Sequence, residues 1–144
     1  MKTLKTLFAT LLLLVSMSAR SFARDEPNTI SKLSMDYALK TYIDAVSLGK
    51  VKGFSDVLDN DVKFTVTRGD KIINYSKFDM VNSLKNTSDV KQNCSTTYNV
   101  VEQNNSQAVV KVTMKYENFS KINYVTLANT TRGWKITNVS SSFS

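Results

Sequence analysis

The stretch LDNDVKFTVTRGDKI, residues 58–72, carries a period of two: Val62, Phe64 and Val66 alternate with Lys63, Thr65 and Thr67. Apolar residues at every second position line one face of a strand, so 62–67 reads as a half-buried strand. Arg68-Gly69-Asp70 supplies a hairpin turn, and Lys71-Ile72-Ile73-Asn74-Tyr75 the return strand. Three aspartates bracket this hairpin: Asp59, Asp61 and Asp70. Acids at the mouth of a strand can act as a catalytic pair aimed into a pocket. They can also hold local backbone N–H groups at turns. The second reading is preferred, with Asp59-Asn60-Asp61 as the turn that enters the strand.

Downstream, Ser76-Lys77-Phe78-Asp79 has the spacing of a capping box. It predicts a helix that turns Phe78, Val81 and Leu84 inward. From Asn93 the chain alternates again. One strand runs over 93–102, with Cys94, Thr96, Tyr98 and Val100 on one face. Ala108, Val110, Val112, Met114 and Tyr116 alternate in a second strand. Strands over 121–128 and 134–140 follow, with turn residues at 103–106, near Asn118 and at 129–133.

Upstream, Ile30, Leu33, Tyr37, Ala38, Tyr42, Ala45 and Val46 recur in steps that define one helical face. Gly49 is the natural stop for that helix. Val51, Phe54, Val57 and Leu58 predict a short second helix. The expected architecture is α+β: a cone-shaped, curved antiparallel sheet wrapped on a long N-terminal helix, with two shorter helices.

The chain has 144 residues, enough for one domain and one core. Lys2 and Lys5, the apolar run 7–15 and Ser21-Phe22-Ala23 read as a signal peptide over 1–23. A retained anchor is the alternative, but the run falls short of the roughly 20 apolar residues a membrane span needs. A polar lead-in covers 24–29, and the domain covers 30–144. Localisation is then exported, periplasmic or secreted, with no stable membrane insertion after cleavage. Loss of Lys2, Lys5 and Arg20 lowers the net charge from +7 to +4. The remaining lysines are scattered, which argues against a nucleic-acid partner. One cysteine, Cys94, excludes an internal disulfide and reads as a small buried apolar residue. The absence of histidine excludes His-based triads, His general bases and the common zinc sites.

Two segments carry a family resemblance. YIDAVSLGKVKGFSDVLDNDVKF, residues 42–64, resembles the helix-Gly-helix-strand opening of nuclear transport factor 2-like domains. RGWKITNVSSS, residues 132–142, resembles their terminal strand. The resemblance implies a cone with an apolar cavity. The superfamily holds ketosteroid isomerases, dehydratases and polyketide cyclases as well as non-enzymatic domains, so fold alone does not give function. Laid on the isomerases without gaps, the oxyanion tyrosine falls on Tyr42, the general base on Val66 and its proline on Thr67. The second oxyanion acid falls near Val125. Neither valine can exchange a proton, and the histidine machinery of dehydratases and cyclases is absent.

The resemblance therefore implies a non-catalytic domain that binds a small apolar ligand, with no cofactor, no metal and no catalytic residue. The ligand-binding residues it implies are Tyr42, Phe64, Val66, Tyr98, Met114, Val125 and Trp134. Tyr42 has two readings, a cavity hydroxyl that donates to ligand or a core ring with its hydroxyl at the rim. Tyr98, Met114, Tyr116 and Trp134 form either an aromatic cage or plain core. An interaction module that homodimerises through the exposed sheet face is the alternative function. A degenerate isomerase- or dehydratase-like enzyme using Asp61, or Tyr42 with Tyr98, ranks last.

Overall fold

Strand β1 (Leu58–Arg68) and its return β2 (Lys71–Tyr75) form the expected hairpin in this computed structural model, which describes residues 28–144. The expected signal peptide and the lead-in as far as residue 27 lie outside the described residues. Arg68 pairs with Lys71 across a turn in which Gly69 takes φ +60°. β1 begins earlier than expected. Asp59, Asn60 and Asp61 lie within the strand, where its pairing slips between Leu58 and Lys63. The local role foreseen for the acids holds there, since Asp59 Oδ2 accepts from the Asp61 N–H at 3.0 Å.

Helix α1 (Met35–Leu48) starts later than its apolar stripe implied. Ser34 is extended, and its side chain accepts from the Tyr37 N–H, which nucleates the helix there. The preceding residues make only a 3₁₀ turn, Ser31–Leu33, and leave Ile30 and Leu33 exposed. Gly49 ends α1 with φ +68°. A Cβ at this position would lie 2.7–2.9 Å from the backbone of Asp89 and Val90. The expected second helix is a 3₁₀ turn, Ser55–Val57, because Leu58 already pairs with Ile136. Phe54 and Val57 are nevertheless buried, so the apolar face was correct and its helical form was not.

Helix α2 (Lys77–Asn86) carries the predicted capping box. Ser76 accepts from the Asp79 N–H, and the Asp79 carboxylate accepts from the Ser76 N–H. Met80, Val81 and Leu84 pack on the core, whereas Phe78 is 72% exposed rather than inward.

Strands β3 (Ser95–Gln103), β4 (Gln107–Lys115), β5 (Ser120–Thr130) and β6 (Gly133–Phe143) form the expected antiparallel meander. The six strands make one curved, unclosed sheet in the order β2-β1-β6-β5-β4-β3. One pairing corrects the all-antiparallel expectation: β1 runs parallel to β6, with Phe64 beside Val139 and Val66 beside Ser141. Cys94 precedes β3 and is half-buried rather than buried. α1 lays Ala38, Leu39, Tyr42 and Ala45 against the concave face, where Val110, Val112, Val125, Leu127, Ile136 and Val139 close the core. At roughly 1.5–3 kcal/mol for each fully buried large apolar side chain, this contact dominates the stability of the fold.

Candidate functional site

Strand register turns the part of the inner face that leads to its open end into three successive rows. The deepest row is Phe64, Val139, Val125 and Val110, which are adjacent on β1, β6, β5 and β4. All four are buried, and the row is wholly apolar. Two residues further along each strand, the same face shows Val66, Ser141, Asn123 and Val112. The next row shows Phe143, Lys121 and Met114, with Arg68 continuing the inward phase of β1. The face thus passes from apolar to polar to cationic in the direction of the open end.

A cavity of about 700 Å³ occupies that end, between the sheet and α2. Tyr42, Phe64, Met114 and Val139 form its buried floor, while Tyr75, Phe78 and Phe143 stand exposed at its rim. Volumes of 300–1,000 Å³ with a mostly apolar floor and a few convergent polar groups are typical of small-molecule sites.

Tyr42 is 2% exposed. Its hydroxyl has no hydrogen-bond partner among the described residues, and its ring packs on Phe54 at 6.4 Å. Burial raises its phenol far above the usual range, so it stays protonated as a donor. Asn123 is fully buried. Its Oδ1 accepts from Ser141 Oγ at 2.6 Å, and its amide donates to the Met114 sulfur at 3.7 Å. This pair brings hydrogen-bonding groups to the second row without leaving a buried polar atom unsatisfied.

Tyr116 donates to Gln92 Oε1 at 3.2 Å on one wall. Its phenol is also raised, first by burial and then by Cys94. Tyr116, Phe119 and Phe143 form a ring ladder with centroids 4.6 and 6.1 Å apart, and the Arg68 guanidinium lies 5.1 Å from the Phe143 centroid. Lys121 is half-buried, and burial, then the neighbouring Arg68 charge, hold it below the usual lysine range. The carboxylate on the lining is Asp79, and its Oδ2 is engaged by the Ser76 N–H at 2.9 Å and the Ser76 hydroxyl at 2.7 Å. Those bonds, the backbone one foremost, hold Asp79 below the usual carboxylate range.

Of the residues singled out in the sequence, Tyr42, Phe64, Val66 and Met114 come together on this cavity. The other three do not. Val125 lies in the deepest row, sealed in the core. Trp134 is half-buried against the core near the far end of β6. Tyr98 is 55% exposed and lines a separate groove of about 410 Å³ between α1 and β3. Asp59 faces a shallow cleft with Lys77, Arg132 and Lys135, outside the cone. Sequence reasoning missed Lys121, Ser141 and Arg68 on the lining, and Asn123 buried behind Ser141. The readable signal was phase: Lys121 and Asn123 fall in step with Val125 and Leu127, as Arg68 does with Phe64 and Val66. Among the described residues no His, Cys, Asp and Glu cluster could hold a metal.

The sequence profile of the family described as putative lumazine-binding matches residues 32–143. No curated protein matches the sequence. Three solved NTF2-like proteins share the fold. One from Silicibacter pomeroyi, of unknown function, is 13% identical, with TM-score 0.59 over 76% of this chain and 90% of that one. One from Methylobacillus flagellatus, also of unknown function, is 16% identical, with TM-score 0.59 over 84% and 96%. One from Cytophaga hutchinsonii is 14% identical, with TM-score 0.58 over 73% and 91%.

Proposed function

The chain belongs to the putative lumazine-binding family of NTF2-like folds, and from that premise we propose that it is an exported, non-catalytic domain that binds a small molecule with an apolar body. The observation that carries this reading is the cavity of about 700 Å³ with an apolar floor of Tyr42, Phe64, Met114 and Val139. Tyr42, with its hydroxyl unengaged by protein, is the donor that orients the ligand.

The non-catalytic part rests on charge placement. Val66 lines the cavity at the position where the isomerase resemblance puts a base. The carboxylate of Asp79 is held in a helix cap and pushed toward stronger acidity, the opposite of a general base tuned toward neutrality. Export rests on the residues of 1–23, and mass spectrometry of the secreted fraction should find an N-terminus at Arg24.

The test of binding is fluorescence titration with N-phenyl-1-naphthylamine, a neutral probe that brightens in apolar surroundings. The wild-type chain should bind it saturably. Val66→Phe, which adds a ring inside the cavity, should weaken binding at least about ten-fold while the thermal melt stays cooperative. Undiminished binding in Val66→Phe would remove the cone as the site.

A second reading is association through the exposed strand. Tyr98, Val100 and Val101 on the edge strand β3 all stand in solvent. That exposure favours a weak homodimer, and a monomeric mass by light scattering at high concentration would dismiss it.

A further inference from the structure

We infer that the ligand of the cone is an organic anion, its apolar body on the floor and its negative group between Arg68 and Lys121. This rests on the proposal that the cone binds a small molecule, and adds its charge.

The argument begins with register. Lys121 pairs with Phe143 across β5 and β6, and Arg68 stacks on that same Phe143 ring from the end of β1. Two cations therefore flank one aromatic side chain on the cavity wall. Lys121 is half-buried and Arg68 exposed, and like charges brought together, one of them partly withdrawn from water, disfavour the folded state unless something offsets them. Among the described residues no carboxylate forms an ion pair with either cation. The Lys40–Asp44 ion pair lies on α1, away from this wall. Asp79, the acid on the lining, keeps its charge but makes its hydrogen bonds to Ser76 and no ion pair with either cation. Burial first, and the Arg68 charge second, hold Lys121 below the usual lysine range, in keeping with two cations that share one wall.

The surroundings complete an amphipathic site. Phe143 and Tyr116 offer ring faces beside the cations, and Met114, paired with Lys121 across β4 and β5, leads to the floor. A carboxylate, sulfonate or phosphate on an aromatic or aliphatic body fits this order. A neutral apolar molecule would fill the floor and leave both cations uncompensated.

The experiment compares two probes that share one aromatic body: neutral N-phenyl-1-naphthylamine and anionic 1-anilinonaphthalene-8-sulfonate. At low salt the wild-type chain should bind the sulfonate about ten-fold tighter or more, the size of one hydrogen bond to a charged group. Added salt should shrink that preference. Lys121→Met and Arg68→Gln should each reduce it several-fold and together erase it, with affinity for the neutral probe held within about two-fold. Lys121→Arg should keep it. Lys111→Met, on the outer face of β4, controls for general attraction to a basic protein and should leave it intact. Equal affinities for the two probes, or a preference that survives the double variant, would overturn the anion assignment while leaving the cone as a binding site. Failure of both probes would overturn both. The wild-type comparison and its salt response stand even if a variant folds poorly.

Discussion

Gly49 and Gly69 have nearly the same backbone conformation and opposite surroundings, which makes them a controlled pair. Their φ values are +68° and +60°. Alanine at either position must adopt a left-handed conformation, at about 1 kcal/mol. At Gly69 nothing lies within 4 Å of the new Cβ, so the cost ends there. At Gly49 the Cβ would sit 2.7 Å from Val90 N, 2.8 Å from Asp89 N and 2.9 Å from Val90 O. All three are backbone atoms, so no side chain can swing aside. The loop can retreat only by giving up the bonds that dock it, Asp89 N–H to Gly49 O at 2.9 Å and Gln92 N–H to Ser47 O at 2.8 Å. Each is worth about 1 kcal/mol net. Gly49→Ala should therefore cost about 3 kcal/mol and Gly69→Ala about 1 kcal/mol. At roughly 4 °C per kcal/mol for a domain of this size, the melting points should fall by roughly 12 °C and 4 °C. Urea melts give the free energies directly. Gln92 also lines the cavity and holds Tyr116, so Gly49→Ala should weaken probe binding and Gly69→Ala should not. Equal losses of stability in the two variants would refute the close-approach argument.

Asp79 makes the acid limb of stability testable. Its pKa is depressed in the fold, so its contribution is complete above the ordinary carboxylate value of about 3.9 and fades as pH falls through the lower folded value. Asp79→Asn should flatten that part of the stability–pH curve, and an unchanged curve would show that the cap is not formed in solution. The Asn123–Ser141 pair predicts non-additivity. Asn123→Leu should cost about 1–3 kcal/mol, because it leaves the Ser141 hydroxyl buried without its acceptor. Adding Ser141→Ala should recover part of that loss, which a double-mutant cycle in urea would measure; strictly additive losses would mean the two side chains do not interact.

What could be read from the sequence was what local chemistry decides. The hairpin at Arg68-Gly69-Asp70, the return strand Lys71–Tyr75 and the Ser76–Asp79 capping box depend on neighbours within a few residues, and each formed as read. The four-strand meander followed from period two and turn residues alone. The start of α1 was misplaced because Ile30 and Leu33 continue its stripe, whereas the Ser34 cap begins the helix after them. The parallel seam between β1 and β6 was not legible. Alternation in Val62–Val66 and in Val139–Phe143 looks the same whichever strand lies alongside and in whichever direction.

The site shows the same division. Tyr42, Phe64, Val66 and Met114 line the cavity because their elements were placed correctly and their phase points into the cone. Tyr98 shared the right alternation, but β3 is an edge strand with a groove between it and α1, so its ring meets solvent. Arg68 and Lys121 stand far apart in the sequence and each reads as an ordinary surface cation. Only the β1-β6-β5 order brings both to Phe143.

The central claim is that the cone between the sheet and α2 holds a small molecule, and methyl-resolved NMR of the chain titrated with N-phenyl-1-naphthylamine tests it most directly. Methyl signals of Val66, Met80, Leu84, Met114 and Val139, all on the cavity lining, should move together and saturate at one equivalent. Those of Ala108, Val110, Leu127 and Ile136, in the core outside the lining, should stay nearly still. Shifts confined to the β3 edge or the Tyr98 groove, or no saturable shift at all, would contradict the account.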